Sequence, residues 1–234
     1  MKFLKTKFLL LGVLFLLMPF PPAEAVEGKV IIAQNKCGSC HKMTGPPAKT
    51  IAEVLARKAP DLFYAGSKFQ EEFLVEFSQR PYRVRPTGTV YVNNIETGEE
   101  GKIDRLIQNP SLCASGLSQE DAIAAAKYLM TFKDKDMKTG VYQPGAKFFR
   151  ARAKLIFFKS TACSGCHQVK KRNKVEGGVS GPTLYNAGSR LNGDWVYSFI
   201  KDPHYWDPKV WMPELDLPDN TWLLLTNFVM TMKQ

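Results

Sequence analysis

Four of the five cysteines and two of the three histidines of this 234-residue chain fall in two pentapeptides, Cys37-Gly38-Ser39-Cys40-His41 and Cys163-Ser164-Gly165-Cys166-His167. A two-residue gap lets both thiols reach the two vinyl groups of one porphyrin as thioethers, and the adjacent histidine then sits beneath the iron as proximal ligand. Each pentapeptide therefore encodes three bonds to one haem c, and the chain is expected to hold two. Zinc would need four ligands drawn from pairs close in sequence, whereas these pairs lie 126 residues apart and each ends in histidine. A thioredoxin-like redox motif would need a strand-to-helix junction in an α/β pattern, which the sequence lacks. One such pentapeptide by chance is expected on the order of 0.001 times per chain, so two are not accidental.

The elements that must position these residues are themselves doubled. Residues 60 to 86 align with 182 to 208 at a constant offset of 122, without a gap. Pro60/Pro182, Leu62/Leu184, Ala65/Ala187, Gly66/Gly188, Ser67/Ser189, Phe77/Phe199, Pro81/Pro203 and Pro86/Pro208 are identical, and Lys68/Arg190 and Phe73/Trp195 match in kind. A third block, 117 to 133, aligns with 217 to 233 at an offset of 100, so the first half carries 22 extra residues. These include 87 to 102, where Val90, Tyr91 and Val92 alternate ahead of a Gly-containing polar centre and predict a small hairpin or loop. Each closing block is apolar at helical spacing, with Ser118 in the first, and Asp219 and Asn220 in the second, placed to cap it. Two domains are expected, 26 to 138 and 139 to 234. Units of roughly 100 residues this rich in Pro and Gly bury little core unaided, and a large apolar cofactor would supply what is missing.

With these motifs in place the chain resembles a dihaem c-type cytochrome built of two class I cytochrome c domains. The resemblance runs through both attachment motifs, Gly181-Pro182-Thr183-Leu184, Met212-Pro213 and the closing helix. It implies an all-α fold, covalent haem and outer-sphere electron transfer. It also implies that a proline carbonyl after each motif accepts a hydrogen bond from the proximal histidine. By position this is Pro182 in the second half and Pro60 in the first, where Ala59 replaces the family's glycine and Pro46 is a rival.

The sixth ligands divide the halves. Met212, a soft donor on the loop before the last helix, is the expected iron ligand of the second site, with Met230 and Met232 as core and His204 as the lesser rival. The matching place in the first half holds Leu112, followed by Cys113, the fifth cysteine. As a thiolate ligand Cys113 would lower the potential of that haem relative to His/Met coordination. It could instead form an intermolecular disulfide or be an inert apolar residue. The ligand would then be Met130 or Met137, or the position would be open; Met43 is too near His41 to cross the haem. The metal ligands expected are thus His41, Cys113, His167 and Met212.

Residues 1 to 25 read as a secretory signal: Lys2, Lys5 and Lys7, a 13-residue apolar run from Phe8 to Phe20, then Ala23-Glu24-Ala25. That run is short for a membrane anchor, so a periplasmic or otherwise extracytoplasmic protein is expected. Cleavage reduces the formal charge from +10 to +8. Nine basic and no acidic residues lie between Lys147 and Lys174, around the second motif. This stretch is either a docking face for acidic redox partner proteins or a solvated surface. No nucleic-acid module accompanies the charge. A free carrier and a subunit of a membrane respiratory complex both fit. The enzyme alternative is a dihaem oxidoreductase on a small inorganic substrate: thiosulfate dehydrogenases are similar in pairing a His/Cys with a His/Met haem, and a peroxidase would need an open site. Arg80, Arg83 and Arg85 are the only basic cluster available to such a substrate.

Overall fold

The computed structural model describes residues 23–96, 105–106, 113 and 115–233. Most of the expected signal lies outside these residues, and the expected cleavage point after Ala25 falls within the first helix. The first half contains α1 (Ala23–Gln34), α2 (Ile51–Leu55), α3 (Ala65–Lys68), α4 (Glu71–Gln79), β1 (Ile95–Glu96), β2 (Arg105–Leu106) and α5 (Gln119–Met130). The second contains α6 (Arg150–Leu155), β3 (Val169–Lys171), β4 (Lys174–Glu176), α7 (Ala187–Arg190), α8 (Gly193–Lys201), α9 (Pro203–Trp206) and α10 (Asp219–Met230). The chain is predominantly helical, with two two-stranded ribbons. Among the described residues no helix is long and apolar enough to cross a membrane.

In the first half α1 crosses α5 at close range. A Cβ on Gly28 would strike the backbone carbonyl of Ala124, and Ala122, Ala124, Ala125 and Ala126 are all buried along α5. Small residues on both sides are what let the two backbones approach. The second half closes the corresponding contact, between α10 and the π-helical turn Ile156–Ser160 that continues α6, with aromatic bulk instead. Phe228 meets Phe157 and Phe158 edge to face at 5.3 and 6.2 Å between centroids, an arrangement that suits the ring quadrupoles.

Equivalent short helices are pinned in the same way in both halves. Gly66 N–H donates to the Phe132 carbonyl and Gly188 N–H to the Met232 carbonyl, both at 2.9 Å. At either glycine a Cβ would run into the end of the closing helix, at Met130 or Met230. Ser118 caps α5, its hydroxyl accepting from Asp121 N–H at 3.1 Å. The second closing helix differs from expectation: Pro218, in extended conformation, takes the position before it, so Asp219 is already helical and neither Asp219 nor Asn220 caps it.

The predicted ribbon in the first half is displaced. Tyr91–Asn94 is a 3-10 turn, and the pairing is β1 with β2, Ile95 opposite Leu106. Val90 is buried, Tyr91 half-buried and Val92 exposed, so the run marks the chain leaving the core. The β3–β4 ribbon had no forecast. Arg172 and Asn173 turn it at φ of 45° and 67°, a conformation that asparagine tolerates better than most residues.

The halves meet about a pseudo-twofold axis. Phe69 and Leu191, sequence mates at the offset of 122, form an antiparallel bridge. Around it Gln70 N–H donates to the Arg190 carbonyl at 2.9 Å and Asn192 N–H to the Lys68 carbonyl at 2.8 Å, again mates exchanged for mates. The Lys68 ammonium lies 4.9 Å from the Trp195 ring centroid, and the Arg190 guanidinium 5.9 Å from that of Phe73. This two-way exchange is the geometry of a symmetric dimer interface formed within one chain.

Candidate haem sites

The two pentapeptides fold alike. Each is a 3-10 turn, Cys37–Ser39 or Cys163–Gly165, entered through a residue of positive φ: Lys36 at 51° and Ala162 at 48°. His41 N–H then donates to the Cys37 carbonyl at 2.9 Å, and His167 N–H to that of Cys163 at 3.1 Å. All four motif cysteines are unpaired with one another.

Each imidazole is oriented by a proline carbonyl. His41 Nδ1 lies 2.7 Å from the Pro60 oxygen, and His167 Nδ1 2.7 Å from that of Pro182. A carbonyl only accepts, so Nδ1 carries the proton and Nε2 keeps its lone pair for a metal. In the first half this partner is Pro60, and Pro46 does not take the role. Burial pushes the His167 pKa down, opposed by the bond to Pro182, which favours the neutral ring that a ligand needs.

Gly181 is where the halves part. A Cβ there would sit 2.6 Å from both Cε1 and Nδ1 of His167. Only glycine lets the chain pass that close to the ring, whereas Ala59 in the first half carries a Cβ at the matching position. The glycine-rich run before it is just as tight, since a Cβ on Gly178 would overlap the Gly165 carbonyl.

Cys113 is brought to the first site although Leu112 lies outside the described residues. Its thiol lies 3.3 Å from the Ser115 hydroxyl and within reach of the His41 imidazole. The contact with His41, ahead of the Ser115 bond, lowers its pKa to about 7 against the opposing effect of burial. Cys37 is raised, first by its burial and then by the nearby Cys113. The structure thus gathers Cys37, His41 and Cys113.

In the second site Cys163 Sγ lies 3.1 Å from the Thr161 hydroxyl, and burial is the main cause raising its pKa. Met212 lies half-buried on the loop between α9 and α10, beside Trp211, which is 55% exposed and meets Tyr91 of the first half at 6.4 Å. Met230 is buried in the core of the second half, with Met137 and Met232 packed against it, and Met130 packs against the core of the first half. His204 faces Glu214 at 3.6 Å. Among the described residues no cluster of three or more His, Cys, Asp and Glu could hold a metal ion by itself.

Several charges at the junction had no forecast as site residues. Arg57 Nη1 lies 2.7 Å from Asp207 Oδ2 and its Nη2 3.6 Å from the buried Asp61. Arg190, only 3% exposed, donates to the Asn186 side chain at 2.9 Å and to the Thr183 carbonyl at 2.6 Å. Its burial brings its pKa down to about 10. The signal in the sequence was the Lys68/Arg190 match, a basic residue repeated inside an otherwise apolar alignment.

Residues 144–220 match the family model for cytochrome c. No curated protein and no solved structure matches the chain. The matched stretch holds the second attachment motif, Pro182 and Met212, and is similar to a cytochrome c domain. The match covers about a third of the chain; a cytochrome c domain there supports covalently bound haem c and a haem-based electron-transfer role, and the helical content agrees with it.

Proposed function

We propose that the chain is an exported dihaem cytochrome c that passes single electrons between redox partners, with a second cytochrome c domain in residues 26 to 138. The observation that carries the doubling is the matched geometry of the two pentapeptides, each with its histidine held 2.7 Å from a proline carbonyl. Cys37 and Cys40 attach one haem and Cys163 and Cys166 the other; His41 and His167 are the proximal ligands. Met212 completes the second site and Cys113 the first, a reading supported by the placement of Cys113 against His41. When bound, each haem supplies one-electron chemistry between Fe(III) and Fe(II). The protein holds each imidazole in one tautomer and orientation and surrounds the second with buried side chains.

The basic surface fits an acidic partner. Arg150, Arg152, Lys154 and Lys159 are exposed on α6 and the turn after it, and Lys170, Lys171, Arg172 and Lys174 on the β3–β4 ribbon. Phe149, 69% exposed, and Leu155 offer apolar contact in the same region. A second reading, an oxidoreductase of the thiosulfate dehydrogenase type, is favoured by the cysteine at the first site. Haem quantification on the purified holoprotein tests the first proposal, since one haem per chain would overturn it. Cys113→Ala should raise the potential of the first haem and change its low-spin spectrum; an unchanged spectrum removes Cys113 as ligand. Steady-state turnover with thiosulfate separates enzyme from carrier.

A further inference from the structure

The alignment at offset 122 sets Arg85 opposite Asp207, a cation opposite an anion. Both lie on segments that cross to the other half. Beside Arg85, the Val84 carbonyl accepts from Thr183 N–H at 2.7 Å, and the Thr87 hydroxyl donates to the Val179 carbonyl at 3.1 Å. These contacts flank Pro182, the residue that orients His167. Arg85 itself donates to the Thr89 carbonyl at 3.0 Å.

Asp207 makes the reciprocal crossing. It binds Arg57, which also faces Asp61, and Asp61 directly follows Pro60, the residue that orients His41. Two carboxylates and one guanidinium therefore lie on the approach to the first site. On the approach to the second lie two guanidinium groups, Arg85 and Arg190, neither hydrogen-bonded to a carboxylate among the described residues; Asp207 is the foremost opposite charge acting on Arg85, so the exchanged pair face each other across the junction. Arg190 donates to the carbonyl of Thr183, and Thr183 N–H donates to the carbonyl of Val84 beside Arg85, so both arginines are tied to the segment that orients His167.

We infer that this exchanged pair tunes the two haems in trans: Arg85 of the first half raises the potential of the second haem, and Asp207 of the second half lowers that of the first. The inference rests on the two-haem reading. Reduction adds one electron at each iron with no bond made or broken, so a neighbouring cation favours it and a neighbouring anion opposes it. One unit charge about 12 Å away, at an effective dielectric constant of about 20, changes the reduced-to-oxidised ratio about tenfold. For a one-electron couple that is about 59 mV. The arrangement makes the second haem the electron sink of the pair and orders transfer from first to second.

The test is a redox titration of the full-length holoprotein followed by electron paramagnetic resonance. Signals are assigned with a variant lacking Cys163 and Cys166. Arg85→Gln should lower the second haem's reduced-to-oxidised ratio at fixed applied potential about tenfold and move the first by less. Asp207→Asn should raise that of the first by a similar factor. Arg85→Lys, which keeps the charge, should retain both potentials and separates charge from packing. Two haems with both potentials unmoved in Arg85→Gln and Asp207→Asn would overturn the inference, as would a shift confined to the haem of the mutated residue's own half. One haem per chain in the unmodified protein would instead overturn the two-haem reading beneath it.

Discussion

Gly181→Ala isolates the contact that shapes the second site. The new methyl would lie 2.6 Å from two atoms of the His167 ring and 3.1 Å from the Cys166 carbonyl, well inside van der Waals contact. Neither obstacle is the loose end of a flexible chain: the ring is held by Pro182 and the carbonyl belongs to the attachment turn. Relief must come from moving the 181–182 backbone away, which lengthens the 2.7 Å bond from His167 to Pro182. Overpacking of this kind costs about 1–2 kcal/mol, and a weakened hydrogen bond about 1 kcal/mol. The expected loss is therefore about 2–3 kcal/mol, or a fall in midpoint of roughly 4–12 °C for a chain of this size. Thermal unfolding of the holoprotein, followed at the haem absorption, measures it. The mirror substitution Ala59→Gly removes a methyl that the first half already accommodates and should shift the midpoint little. A Gly181→Ala protein that unfolds within about 1 °C of the parent, with an unchanged haem spectrum, would refute the close-approach argument.

Phe228→Ala removes the ring on which Phe157 and Phe158 converge and should destabilise the protein by about 3–5 kcal/mol in denaturant unfolding. Lys68 gives a pH dependence of definite sign. Loss of hydration brings its pKa to about 7 from the ordinary 10.5, so between those values the folded state releases a proton that the unfolded state keeps. Its contribution to stability therefore grows as pH rises from about 7 towards 10, and Lys68→Met should flatten that part of the stability profile. If the basic face guides docking, the bimolecular rate of electron exchange with an acidic redox protein falls with rising salt, and Lys154→Glu slows it further. A salt-independent rate would reduce that face to a solvated surface.

What was legible in the sequence was local or repeated. The pentapeptides carry their chemistry in their spacing, and the offset of 122 marked a doubled unit; that mates such as Phe69 and Leu191 meet across an axis is seen only in the structure. Ser118 was readable because a cap acts over three residues. Where two local signals competed, the reading erred: Asp219 and Asn220 have the chemistry of caps, but Pro218 fixes the backbone just ahead of them. The ribbon at β3–β4 was hidden because Lys170, Lys171, Arg172 and Lys174 dominate the segment as charge, and its turn rests on Asn173 without the glycine that usually marks one. The junction charges were invisible for another reason. Arg57 reaches Asp207 across 150 residues of sequence, and no periodicity announces a contact of that range.

The pseudo-twofold axis through Phe69 and Leu191 also limits what a simpler ancestor or a split protein could do. Two identical chains paired about such an axis must place the same residue at both ends of every exchanged contact, so position 85 would meet its mate as two arginines or as two aspartates. On the two-haem reading proposed above, either choice would move both haems in the same direction and leave electrons without a preferred resting place. Joining the halves in one polypeptide keeps the interlocking surface and frees its two ends to carry opposite signs. On that reading covalent continuity between the halves is a source of direction as well as of proximity.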